Sequence, residues 1–139
     1  MQSIHQLNVS HQSAIALTQA AVDYASANNM AIAACVVDVH GRTIALQVMN
    51  GASLIADELV IRKAKTALLG LSSADFASAV SNDASVESSM LALDSITLLG
   101  GGYPLLDDGV VIGGFAVGGA TVEMDMACAE AALNVVNNQ

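Results

Sequence analysis

The sequence predicts an α+β fold, a three-layer α–β–α sandwich around a mostly antiparallel five-stranded sheet. Three observations lead there. Apolar residues recur at steps of three and four near both ends of the chain, as in amphipathic helices. Between those segments, short apolar runs are joined by tight glycine-containing turns, the pattern of antiparallel hairpins. Those runs do not alternate cleanly, so both faces of the sheet need helices over them.

The first helix should run from about His11 to Asn28, with Ser10 as its cap and Leu17, Ala21 and Tyr24 in a wide apolar stripe. Two strands follow, Ile32–Val39 and Thr43–Met49, joined at His40-Gly41. A second helix is expected over Ser53–Leu69, stopping at Gly70, with Leu54, Ile61 and Leu68 repeating every seven residues. Glu58 and Arg62 stand four apart, the spacing of a helical ion pair. The Ser-, Ala- and Asp-rich stretch from Ser72 to Ser89 reads as a short helix near Ala74–Val80 followed by an irregular segment. Ile96–Leu99 reads as a third strand, Tyr103–Leu106 as a fourth and Val110–Val117 as a fifth, with Asp107-Asp108-Gly109 turning between the last two. The last helix should span Thr121–Asn137, where Val122, Met126, Ala129, Leu133 and Val136 keep helical spacing.

The 139 residues suit one domain, without linker, repeat or low-complexity tract. With 54% hydrophobic and 12% charged residues, the composition excludes disorder. No apolar run approaches the roughly 20 residues of a spanning helix, so no membrane association is expected. Residues 1–10 carry no secretory pattern, which points to the cytoplasm. Four basic residues against thirteen acidic ones give a net charge of −9, which argues against nucleic acid as a partner. Cys35 and Cys128 lie in apolar runs and are expected as buried thiols, with no metal site. So little charge on so small a domain implies a partly covered surface, hence a homo-oligomer.

Several familiar motifs fail. Gly113-x-x-x-x-Gly118 has phosphate-loop spacing, but Gly119 and Ala120 replace the Lys and Ser/Thr that hold phosphate and metal. Neither GxSxG nor HExxH is present, and His5, His11 and His40 have no ligand spacing. Three features remain. Arg62-Lys63-Ala64-Lys65 holds three of the four cations and reads either as a solvated helix face or as an anion clamp. Gly100-Gly101-Gly102-Tyr103-Pro104 serves tight turning, or lets backbone N–H groups approach a ligand. Gly118-Gly119-Ala120-Thr121-Val122-Glu123-Met124-Asp125 opens a helix, its acids complementing the dipole or lining a pocket as proton carriers.

These blocks, with Ala33-Ala34-Cys35-Val36-Val37-Asp38-Val39-His40-Gly41, resemble the GlcG/HbpS-type heme-binding-like family, also found as the C-terminal domain of PduO-type cobalamin adenosyltransferases. The resemblance runs from about Ala14 to Val136 and implies a profilin/PAS-like α–β–α domain, oligomeric, with heme or a related tetrapyrrole as ligand in some members. The resemblance puts Lys63 on the family's helix lysine, Glu58 where it usually has an acid, and Glu123 and Asp125 on its paired acids; with the glycine backbone, Lys63, Glu58, Gly101, Gly102 and Thr121 are the expected ligand-binding residues. The family often has Ser-Gly-Gly-Thr where this chain has Gly118-Gly119-Ala120-Thr121.

Two functions are therefore expected to compete. One is a module that binds a small molecule, with heme as the ligand the resemblance implies. The other is a cofactor-independent isomerase, tautomerase or lyase, with Glu123 or Asp125 moving a proton on a small organic acid held by Lys63. If Lys63 serves a ligand, its loss should weaken binding and spare stability. By strand pairing, Gly101 and Gly102 should lie beside Glu123 and Asp125.

Overall fold

The computed structural model describes residues 1–139. Helix α1 (His11–Ala27) starts under Ser10, whose hydroxyl accepts the Ser13 N–H at 3.1 Å. Strands β1 (Ala33–Asp38) and β2 (Thr43–Val48) form a hairpin, and helix α2 (Ala56–Ala67) follows. Helices α3 (Ser73–Val80) and α4 (Ala84–Leu91) come next, then β3 (Gly102–Asp107), β4 (Val110–Gly118) and α5 (Val122–Asn137).

The sheet has four strands in the order β2-β1-β4-β3, each pair antiparallel. The third of the five expected strands, Ile96–Leu99, does not form. At Ile96–Leu99, Ile96 packs with Phe76 and Val80, and the Thr97 N–H donates to the Thr66 hydroxyl of α2 at 3.0 Å. A helix side chain thus takes the backbone donor that a strand neighbour would have used. The segment expected to be irregular contains α4. Asp83 caps it by accepting the Ser85 and Val86 N–H groups, yet none of its residues is buried. Lacking an apolar stripe, it left no periodic signal to read.

Side chains of a strand alternate between its two faces, and the core divides accordingly. Ile32, Ala34, Val36, Phe115 and Val117 pack with Leu17, Ala21, Ala25, Cys128 and Ala129 of α1 and α5. Ala33, Cys35, Val37 and Ala116 pack with Ala56, Val60 and Ala64 of α2. β1 is buried along its whole length, as its unbroken apolar run requires. β2 is an edge strand with Leu46 and Val48 exposed, so coverage of both faces does not extend to it.

α2 is also rotated from the expected heptad. Its buried residues are Ala56, Val60, Lys63, Ala64, Thr66 and Ala67, whereas Leu54 lies before the helix and is exposed. Glycines explain the choice of small residues. A Cβ on Gly102 or Gly114 would run into the backbone carbonyls of Lys63 and Ala64, so the helix rests directly on strand backbone. The closer two backbones approach, the smaller the side chains between them must be.

The β1–β2 turn depends on Asp38, whose carboxylate accepts the His40 and Arg42 N–H groups at 2.9 Å each and meets Arg42 Nε at 3.2 Å. Burial alone would raise its pKa. The two amides and the exposed guanidinium outweigh that and hold it below the usual carboxylate range. A depressed carboxylate pKa stabilises the fold above the unfolded-state value of about 3.9. That contribution disappears as pH falls through the lower folded value. Asp38→Asn is expected to destabilise the domain by about 1–3 kcal/mol at neutral pH. The gap from wild type should close as pH drops below the carboxylate range, measured by urea unfolding at stepped pH.

Candidate functional site

β4 runs out at Gly118, and Gly119, with φ +110°, turns the chain toward α5. Thr121 caps that helix through the Met124 N–H at 3.2 Å. Alongside, Gly101 accepts the Val117 N–H at 3.0 Å through its carbonyl, which brings the triple glycine to the end of β4.

Lys63 reaches this junction from α2. It is 0% exposed, and its ammonium donates to the Val117 carbonyl at 3.0 Å and to Asp125 Oδ2 at 2.9 Å. Asp125 Oδ1 accepts the Ala120 N–H at 2.9 Å, so both carboxylate oxygens are engaged. The glycines make room for this pair. A Cβ on Gly101 would sit 2.6 Å from the Val117 carbonyl oxygen and 3.0 Å from Lys63 Nζ, and one on Gly118 would sit 2.8 Å from Val60. A buried carboxylate and ammonium that satisfy each other and two backbone groups form an internal tie between α2, β4 and α5.

The structure thus brings together Lys63, Gly101, Gly102 and Asp125. It places Thr121 and Glu123 on the exposed first turn of α5, and Glu58 on the exposed side of α2. Glu123 and Asp125 are two residues apart on one helix and so point in different directions. None of four surface concavities is lined by Lys63, Gly101, Gly102 or Asp125. The expected Glu58–Arg62 ion pair is not made, since only Arg42–Asp38 and Lys63–Asp125 lie within 4 Å.

The largest concavity, about 460 Å³, lies between α1 and α5 against Ala16, Ala20, Tyr24, Ala131 and Val135. A second, of about 290 Å³, is lined by Val9, Leu17, Pro104, Leu106, Ile112 and neighbours. A third, of about 180 Å³, is charged and lies along α2 at Glu58, Arg62 and Lys65, opposite Asp94. Sequence reasoning read Tyr24 only as part of an apolar stripe and did not single out Asp94, which belongs to no motif. His5, His11 and His40 are all exposed. Cys35 and Cys128 are buried free thiols, as expected, and burial pushes their pKa values up to about 12 and about 11. They stay protonated at neutral pH.

The comparisons converge on one family. Residues 9–134 match the family described as "Haem degrading protein HbpS-like". The fold is similar to that of the Klebsiella pneumoniae protein ORFY, with a TM-score of 0.90 and 29% identity, covering 100% of this chain and 98% of that one. It is also similar to the PduOC:heme complex, with a TM-score of 0.86 and 30% identity over 94% of this chain and 96% of that one. In sequence it is 32% identical to the corrinoid adenosyltransferase PduO of Salmonella typhimurium, over 87% of this chain but 37% of the relative. The chain therefore spans well under half of that enzyme's length.

Proposed function

The chain belongs to the HbpS-like family, and on that premise we propose that it is a small-ligand-binding protein whose ligand is heme or a related tetrapyrrole. The observation that carries this is the likeness to a heme complex at 30% identity over nearly the whole of both chains. The donor chemistry of the chain fits such a group. Its three imidazoles are exposed and free to coordinate, whereas its thiols are buried and protonated. None of the four main concavities of one copy has an imidazole in its lining, and a ligand of this size calls for about 70–90% burial, as is general for such sites.

A second copy of the chain would complete the pocket. Leu54, Ile55, Leu69, Leu71, Leu91 and Leu93 are exposed apolar surface that such a homo-oligomer would cover. We read the packing of α1 and α5 on one set of strand residues, and of α2 on the other, as a profilin/PAS-like three-layer α–β–α sandwich that displays this surface. The unpaired thiols support a reducing, cytoplasmic setting.

Bound heme would supply iron chemistry, and the chain's own residues would bind and orient the group. In this reading Lys63, Asp125, Gly101 and Gly102 hold α5 in place. Thr121 and Glu123, on its exposed first turn, and Glu58 are the residues that can face a ligand. The isomerase, tautomerase or lyase reading has less support, since Asp125 is sealed from solvent with both oxygens occupied.

Hemin titration is expected to give a shifted Soret band that saturates at about one equivalent per subunit, as a single specific site requires. Sedimentation equilibrium should show a species larger than the 14.1 kDa chain. Replacing His5, His11 and His40 singly with alanine should identify the axial donor by the one loss that moves the band. A band that neither shifts nor saturates would refute the heme assignment.

A further inference from the structure

The chain has four cations, and two are committed: Arg42 to Asp38 and Lys63 to Asp125. The other two, Arg62 and Lys65, line the same cleft of about 180 Å³. Across a surface of net charge −9, this is the one place where uncommitted positive charge gathers. The cleft also holds two acids, Glu58 and Asp94, and the Ser95 hydroxyl. None of these five side chains has a hydrogen-bond or salt-bridge partner within the chain.

Opposite charges that share a cleft without pairing leave both signs available to a guest. Glu58, Ile61, Arg62 and Lys65 follow the i, i+3, i+4, i+7 spacing of one helix face, so charge changes sign along α2. The rise from Glu58 to Arg62 is about 6 Å. A simple anion would meet two carboxylates there, and a simple cation would meet a guanidinium and an ammonium. A small molecule carrying one charge of each sign meets neither penalty.

We propose that the α2 cleft bounded by Asp94 and Ser95 binds a small zwitterion of amino-acid type, its carboxylate on Arg62 and Lys65 and its ammonium on Glu58 and Asp94. This site shares only Glu58 with the residues proposed to face heme, and zwitterion binding there does not depend on heme.

The test uses three probes on one carbon skeleton: 4-aminobutyrate, butyrate and butylammonium. Titrated into ¹⁵N-labelled protein, 4-aminobutyrate should shift the amides of Arg62, Lys65 and Ser95 saturably, with a Kd of about 1 mM. Butyrate and butylammonium should each bind at least about tenfold more weakly, the loss of one charge-assisted contact. Arg62→Gln and Asp94→Asn should each weaken 4-aminobutyrate by about tenfold as well. Both side chains lack internal partners, so an unchanged circular dichroism spectrum should accompany the loss. No saturable shift, equal binding of butyrate, or indifference to both substitutions would overturn the proposal.

Discussion

Lys63→Met should destabilise the domain by about 3–5 kcal/mol, the usual effect of breaking a buried ion pair from one side. Methionine fills nearly the same volume, so the loss is electrostatic. The Asp125 carboxylate would keep the Ala120 N–H but lose its ammonium, 2.9 Å away in a site with 2% exposure. The Val117 carbonyl would lose a donor as well. Asp125→Leu should be equally harmful, by stranding the ammonium. The double variant should recover much of the loss, because a buried pair replaced on both sides by apolar groups is often neutral. Urea unfolding of the four proteins gives the coupling directly. If either single change costs under about 1 kcal/mol, the pair is not what fastens α2 to α5. This reverses the outcome expected for a ligand-facing Lys63, which would spare stability and weaken binding.

Gly114→Ala should be comparably severe, at about 3 kcal/mol, the upper range of overpacking. Gly114 has no positive φ, so backbone strain does not enter. The added carbon would press into the Ala64 carbonyl oxygen and lie 3.3 Å from Val37 Cγ2, and neither α2 nor β1 has slack to give. Gly70→Ala is the matched control. Nothing lies within 4 Å of its Cβ position, but φ is +93°. There the loss should be about 1–2 kcal/mol, from the left-handed backbone alone. Thermal unfolding that ranks Gly70→Ala as the worse of the two would contradict the close seating of α2.

Much of this architecture is legible in the sequence. The cap at Ser10, the hairpins around Gly41 and Gly109, and the helical spacing of α1 and α5 are local signals, and local signals survive into the fold. The buried face of α2 is not local. Leu54, Ile61 and Leu68 make the stronger stripe by size, yet the glycines of β3 and β4 select alanines and bury a lysine instead. That choice depends on two segments some forty residues downstream. That Lys63 and Asp125 pair with each other rather than with a ligand is hidden for the same reason, since an internal tie and an anion clamp use the same residue types. Ile96–Leu99 has the composition of a strand, but the Thr66 hydroxyl on α2 and the seat of Ile96 on Phe76 and Val80 hold it elsewhere.

Helix α4 fully buries none of its residues and is held by the Asp83 cap and by Met90 packed on Phe76, Val80 and Ile96. Such a segment can open while the sheet stays folded, because its opening uncovers only the small Met90 contact and none of the sheet's core. Amide protons from about Ser85 to Ala92 should therefore exchange through local fraying, with little dependence on denaturant, while those of β1 and β4 wait for global unfolding. The same fraying would offer a protease its first cut near Leu91 or Leu93, leaving a nicked chain whose two pieces stay associated through the sheet.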